Sequence, residues 1–327
     1  MRRCVRVTVL LGMLIAPTAM SAQADESVFL KLRFSANERI RYRIHAEVKG
    51  TQHMEVWVPG LQGAAPSDVP VHILINGEGS AKVLRVDPSG QAQLRVQADR
   101  LSVKSQFGQT MNTEMLADHG KYTYKVNGRT VDPNRSLLGK KAKIPFVQES
   151  VEIKLGPRGP VLELAMPEIL NIAVLTANYS TKEGDPIKLP KEALTVGETA
   201  EDSSSEVLPG SVAPTDYDIK MTLDAVKDGA KGDKIASVTV NGTSSHEADL
   251  ANEAKSRGIT AAISGTRRFE QQLGGNMQFD VTRGVMLRFD FRADQRMDLE
   301  QTIATPNGSQ SLRIDFQCTI NGAVAKI

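Results

Sequence analysis

In the stretch EIKLGPRGPVLEL, residues 152–164, Arg158 stands between Gly156-Pro157 and Gly159. A basic residue flanked by glycines can cradle an anion with backbone amides and a guanidinium, or it can simply turn a chain. The residues that follow, Pro160-Val161-Leu162-Glu163-Leu164, alternate as a strand rather than a helix, and Pro157 has no amide to offer. A turn is therefore expected, with Arg158 as its solvated tip. Gly77-Glu78-Gly79-Ser80-Ala81-Lys82 partly mimics a dinucleotide fingerprint, but it lacks the third glycine and runs into the strand-like KVLRV instead of a helix.

The five histidines, His45, His53, His72, His119 and His246, have no spacing that would put two on one helix face. His246-Glu247 begins like a zinc-protease motif, yet the second histidine such a site needs is missing. Asp290 and Asp294 lie two steps apart on one strand face and could pair as glycosidase carboxylates; the interleaved Arg292 and Arg296 point instead to ion pairing across strands. No Gly-x-Ser-x-Gly elbow occurs. Cys318, in LRIDFQCTI, shares its side with Ile314, Phe316 and Ile320 and reads as a core thiol rather than a nucleophile, which would need exposure and a depressed pKa. Trp57 either lines a ligand pocket or belongs to a second buried face. Lys140-Lys141-Ala142-Lys143 is the one compact basic run and reads as a solvated loop, with an acidic envelope polymer or lipid headgroup as the alternative contact. No catalytic, metal or cofactor site emerges, and the chain reads as a non-enzyme.

The elements that must carry these residues are strands. RIRYRIHAEV (39–48) puts Ile40, Tyr42, Ile44, Ala46 and Val48 on one face and Arg41, Arg43, His45 and Glu47 on the other. VMLRFDFRADQRMDLE (285–300) alternates in the same way. Asn-Gly follows Val or Ile at Asn76-Gly77, Asn127-Gly128, Asn241-Gly242 and Asn321-Gly322, each a hairpin signal because both residues tolerate positive φ. A second kind of turn, closed by glycine, is expected at Asp87–Gly90, Gly156–Gly159 and Val281–Gly284. Two Pro/Gly/Ser-rich stretches, 59–70 and 199–215, read as loops. ADLANEAKSRG (248–258) reads as a short exposed helix ending at Gly258, and PEILNIAVLTA (167–177) as an apolar helix that must be covered.

The pieces recur in order. FSANERIRY, a meander turning at Asp87–Gly90, and EIKLGPRGPVLEL are followed by LTVGETAED, YDIKMTLDAVKDGAKGDKIASVTVNG and MQFDVTRGVMLRFDF. This predicts a duplicated module with its junction near residues 180–194.

The N-terminus has a basic start, an apolar stretch too short to anchor, and Ser21-Ala22-Gln23-Ala24, the signature of a signal peptide cleaved after Ala24. No cysteine stands at that boundary for lipid anchoring, so a soluble periplasmic or extracellular protein is expected. No later stretch reaches the roughly 18 apolar residues of a spanning helix. The chain holds 40 Lys+Arg and 38 Asp+Glu, and losing Arg2, Arg3 and Arg6 with the signal leaves a net charge of −1. That balance excludes nucleic acid as a main partner. Losing Cys4 leaves Cys318 alone, so no internal disulfide can form.

LKLRFSANERIRYRIHAEV, IKLGPRGPVLEL, LPKEALTVGE (189–198) and MQFDVTRGVMLRFDF together resemble an uncharacterised family of exported or lipid-anchored bacterial β proteins with a duplicated module. The resemblance covers most of residues 28–300 and departs at Ala36-Asn37, where the family has glycine, and around 199–215, where it has a Trp. It implies fold and export, and carries no catalytic residues.

The expected fold is all-β with minor α: a signal peptide (1–24) and two related antiparallel modules (25–180 and 181–327), curved or sandwich-like, or one continuous pseudo-duplicated domain. The helix near 167–177 would cover a sheet face. The expected function is an exported, non-enzymatic binding module holding an apolar or lipid-like ligand, with Trp57, Ile169 and Ile172 as candidate lining residues. A structural or protein-interaction component of the envelope, and an enzyme with a dispersed site, are the alternatives.

Overall fold

The computed structural model describes residues 27–58, 64–119, 121–131, 150–159, 187–207, 213–230, 232–256, 258, 262–306 and 308–327. The export signature, the apolar stretch with Ile169 and Ile172, and the basic run at 140–143 lie outside the described residues. The strands are β1 (Arg39–Trp57), β2 (Ala64–Val86), β3 (Ala92–Phe107), β4 (Met111–Asp118), β5 (Lys121–Val126), β6 (Arg129–Val131), β7 (Val151–Leu155), β8 (Thr199–Val207), β9 (Pro214–Asp228), β10 (Lys234–Asp249), β11 (Ile263–Asp280), β12 (Val285–Thr305) and β13 (Gly308–Lys326), with one helix, α1 (Leu250–Ser256).

All thirteen strands join one antiparallel sheet in the order β6-β5-β4-β3-β2-β1-β13-β12-β11-β10-β9-β8, with β7 on β3. The protein is all-β with a minor helix, and its architecture is the curved open sheet rather than a sandwich. The first and last strands are neighbours: β1 pairs with β13 from Tyr42↔Lys326 to Trp57↔Ser311. This long ladder of backbone hydrogen bonds joins the half before residue 160 to the half after residue 186.

Strand alternation sets the faces. On β1 the even residues Ile40 to Val48 are buried and Arg39, Arg41, Arg43 and His45 are exposed. Registers extend this inner face across the sheet as rows. Ile44, Val324, Phe289, Met277, Val238 and Leu223 form one row, every member buried. At about 1.5–3 kcal/mol per large apolar side chain buried, such rows are the main stabilising feature. The next row is Ala46, Gly322, Phe291, Gly275, Val240 and Met221. A Cβ at Gly322 would lie 2.4 Å from the Phe291 ring, and one at Gly275 would lie 2.7 Å from the Phe289 ring. The glycines are the space that these rings fill.

This corrects three of the four Asn-Gly hairpins. Asn76-Gly77, Asn241-Gly242 and Asn321-Gly322 lie inside β2, β10 and β13; Gly242 faces Ile219 as Gly322 faces Phe291. Only Asn127-Gly128, with φ 49° and 77°, turns the chain, between β5 and β6. A strand that packs a large side chain over its neighbour needs glycine for close approach, and the dipeptide alone does not separate that need from a turn.

The three glycine-closed turns form as expected, with Gly90, Gly159 and Gly284 at φ 84°, 96° and 66°. The extended segment 27–34 ties two of them together. Leu32 N–H donates to Pro157 O at 2.7 Å and Arg33 N–H to Gly284 O at 2.9 Å, so adjacent residues hold a turn from each half. Buried Val28, Leu30 and Leu32, with Ile187, Leu189 and Leu194, join the same core as the strands.

One local construction occurs twice. The Glu38 carboxylate accepts the Ser35 N–H, Asn37 N–H donates to Val83 O, and Val83 N–H donates to Glu38 O. The Glu198 carboxylate accepts the Thr195 N–H, Gly197 N–H donates to Leu223 O, and Leu223 N–H donates to Glu198 O. The third position has positive φ in both, 66° at Asn37 and 90° at Gly197.

Two expected loops are strand in large part: β2 already runs from Ala64, and 199–207 is β8. β8, TAEDSSSEV, is an edge strand held by its backbone pairing to β9, and it needs no apolar face to form. Helix α1 forms over 250–256, capped by Asp249 Oδ1, which accepts the N–H groups of Ala251 and Asn252. It is not the exposed helix expected, because Leu250, Glu253 and Ala254 are buried.

Candidate functional site

Beyond the closed core, the inner face changes character. The row Gly50, Cys318, Gln295, Gln271, Ser244 and Tyr217 is polar. Past it lie Phe316, Met297 and Phe269 beside His246, and then Met54, Ile314 and Leu299 beside Arg267. Val56 and Leu312 continue the strip beside Gln301, an amide on the same face, and Ile263 pairs with Ile303 at its far end. Met54, Val56, Phe269, Leu299, Leu312 and Ile314 are half-buried, unlike the same parity nearer the turns, and they stand outside the core cluster. From Gln295 to Ile303 the strip is about 26 Å long at a strand rise of roughly 3.3 Å per residue.

Helix α1 borders the strip on the β10–β11 side. Its Glu253 Oε1 accepts from Arg267 Nη2 at 2.8 Å, with side chains only 5% and 14% exposed. The two charges cancel where little water reaches them, and burying either alone would be costly.

The opposite face carries a polar groove of about 670 Å³, lined by Lys49, Thr51, His53, Asp294, Arg296 and Gln317 among others. Several of its charged groups are already engaged. Asp294 accepts from Arg292 at 3.1 Å and from Thr319 at 2.5 Å, which holds its carboxyl below the usual range. His53 places Nδ1 2.6 Å from Asp68 Oδ1 and Nε2 3.1 Å from Glu55 Oε1; these two hydrogen bonds raise its pKa. Arg296 is bound to Asp298 at 3.1 Å and lies 3.4 Å from Asp315.

The residues singled out in the sequence are dispersed. Arg158 is not a solvated tip: Nη2 donates to Asp202 Oδ2 at 2.6 Å and Nε to Leu189 O at 2.6 Å. It borders a pocket of about 270 Å³ beside β8, but its charge is matched by a carboxylate. Gly77–Lys82 is strand throughout, with Glu78 bound to Arg43 at 2.7 Å. His45 contacts Asn76 and His72 contacts Glu47, at 2.8 Å each. His119 lies in a turn 3.6 Å from Asp118, and His246 is buried on the inner face, 3.1 Å from Pro214 O. Among the described residues no group of three His, Cys, Asp or Glu side chains is placed to hold a metal.

Asp290 and Asp294 are bound to Arg288 and Arg292 on their own strand, and Asp298 to Arg296 likewise. The expected cross-strand pairing forms in part, at Arg296 and Asp315, while the closest of these ion pairs run along β12 itself. Residues i and i+2 share a face, whereas the register opposes Arg288, Asp290 and Arg292 to Ala325, Ala323 and Asn321. Cys318 is buried, and burial with the nearby Asp294 charge pushes its thiol up to about 12. Trp57 is 52% exposed on the polar face, which overturns the second buried face expected there and places it across the sheet from the apolar strip.

Gln271 and Gln295 were not singled out by pattern. The signal was present, because each is an amide at an apolar parity, in Phe269-x-Gln271-x-Leu273 and in Ala293-x-Gln295-x-Met297.

No family model matches the chain, and no curated protein matches it. Among solved structures it is similar to an outer membrane channel from Pseudomonas putida F1, at 8% identity over 89% of this chain and 97% of that one, with a TM-score of 0.18. At that score the likeness carries no argument. No helix among the described residues is long and apolar enough to cross a membrane, which says nothing of crossing by strands. What the fold and site define is an all-β protein with one long open sheet, a closed core at its turn end, and a half-open apolar strip beyond it.

Proposed function

We propose that this chain is an exported, non-enzymatic binding module that holds an apolar, lipid-like ligand against the inner face of its sheet. The observation that carries the proposal is the strip itself: Met54, Ile314 and Leu299 lie in direct register, with Val56, Leu312 and Phe269 around them, on the core-facing side but outside the core, and Met297 at the core's edge. Apolar rows of this extent keep a cost in water that a bound acyl chain would relieve, at about 25 cal/mol per Å² covered. The polar groove on the other face offers less, because Asp68, Asp294, Asp315, Arg296 and His53 there already have partners. Export rests on the N-terminal signature.

The scaffold alternative calls for one exposed apolar patch. Of the exposed large apolar residues, Met111 and Leu116 share β4, while Phe29, Trp57, Val196 and Ile327 are spread over other segments. The test is direct. Delipidated protein should bind a fluorescent acyl probe, and Leu299→Glu should weaken that binding at least tenfold, while Thr302→Glu on the same strand's other face should not. No acyl probe bound, together with no co-purifying ligand in native mass spectrometry, would overturn the proposal.

A further inference from the structure

The strip begins at a pair of amides. Gln271 and Gln295 are direct cross-strand partners on the inner face, and both are half-buried. Each uses its carbonyl oxygen within the protein: Ser244 Oγ donates to Gln271 Oε1 at 3.2 Å, and the Cys318 thiol donates to Gln295 Oε1 at 3.7 Å. A primary amide also carries two N–H donors, and neither NH₂ group has a hydrogen-bond partner among the described residues. Two adjacent donor groups therefore sit at the inner end of an apolar strip, fixed by neighbours that occupy their oxygens.

The charge around them is balanced. In the rows from Gln295 to Leu299 the charged inner-face residue is Arg267, which Glu253 neutralises at 2.8 Å, and His246 is held by Pro214 O and Thr215. A carboxylate or phosphate brought to the amides would be buried without a counter-ion, at a cost of several kcal/mol. An ester carbonyl or a hydroxyl meets no such penalty and supplies acceptor oxygens to which the two solvent-accessible NH₂ groups can donate.

We infer that the ligand is an acyl lipid with an uncharged, oxygen-bearing head, and that Gln271 and Gln295 bind that head while the strip from Phe269 and Met297 to Ile303 takes the chain. This rests on the apolar-ligand proposal above and adds the chemistry of the polar end.

The experiment is displacement of an anthroyloxy-labelled fatty acid methyl ester from delipidated full-length protein at pH 8, with monoolein and oleate as competitors. Monoolein should displace the probe at least tenfold more tightly than oleate. The Gln271→Leu/Gln295→Leu double variant should lose about tenfold for monoolein and little for octadecane. Gln271→Met, a smaller disturbance, should show part of the same loss, and circular dichroism checks that each variant is folded. Oleate binding as tightly as monoolein, or a folded double variant with unchanged monoolein affinity, would overturn the inference and leave the apolar site standing. If no acyl compound displaces the probe because residues of the chain itself fill the strip, the inference and the proposed function fail together.

Discussion

Arg158 and Asp202 join the two halves of the chain: the guanidinium on the β7 turn lies 2.6 Å from the carboxylate on β8, while its Nε reaches Leu189 O. The matching turn behaves differently. Arg283 closes on Asp280, at the base of its own turn, with Nε 2.5 Å from a fully buried carboxylate. Similar turns thus carry arginines that do different work, one spanning the halves and one locking a hairpin.

Arg158→Ala should lower stability by about 1–2 kcal/mol, because it removes a charge-assisted pair and a bond to a backbone carbonyl that are both partly shielded from water. Arg158→Lys should recover part of that, since an ammonium cannot span both acceptors in one plane. Urea denaturation of the three proteins checks this, and a loss below about 0.5 kcal/mol for the alanine variant would return Arg158 to the role of a tip.

Gly322→Ala should cost about 2 kcal/mol, because its methyl would enter the Phe291 ring, 2.4 Å away. Phe291→Leu frees that space at the price of its own cavity. The double variant should be more stable than the sum of the two single losses predicts, and a double-mutant cycle reads that coupling.

Cys318 should resist alkylation. With its thiol pushed up to about 12 by burial, native protein at pH 8 should react with iodoacetamide far more slowly than protein in urea, and mass spectrometry follows the difference. Equal rates would show that the strand pair β12–β13 opens freely at this point.

His53 should titrate above the ordinary histidine value of about 6.5, since Asp68 and then Glu55 favour the protonated ring. A pKa raised in the folded state means that this contribution to stability is fully present below the unfolded value and is lost as pH rises through the folded one. Asp68→Asn should bring the His53 resonance back toward the ordinary value in an NMR titration. An unchanged titration would remove the Asp68 contact.

Much of the scaffold was legible in the chain. The alternation of Arg39–Val48 states which side chains are buried, and the glycines at 90, 159 and 284 state where the chain needs positive φ, because both are consequences of local geometry. The Asn-Gly pairs show where that logic stops. At 127–128 the dipeptide turns, and at 321–322 it lies flat under Phe291, a difference set by a residue thirty positions away. Likewise TAEDSSSEV has no apolar face to announce β8 and becomes a strand because β9 offers it an edge.

The sequence by itself determined an all-β chain, its faces, its glycine-closed turns and the buried state of Cys318, since each follows from side-chain period or backbone freedom within a few residues. The tertiary structure alone decided that β1 lies beside β13, that Arg158 meets Asp202, and that Gln271 stands opposite Gln295 where the core gives way to the strip. Those relations depend on register between distant strands, and register is fixed by the packing of the whole inner face rather than by any one segment.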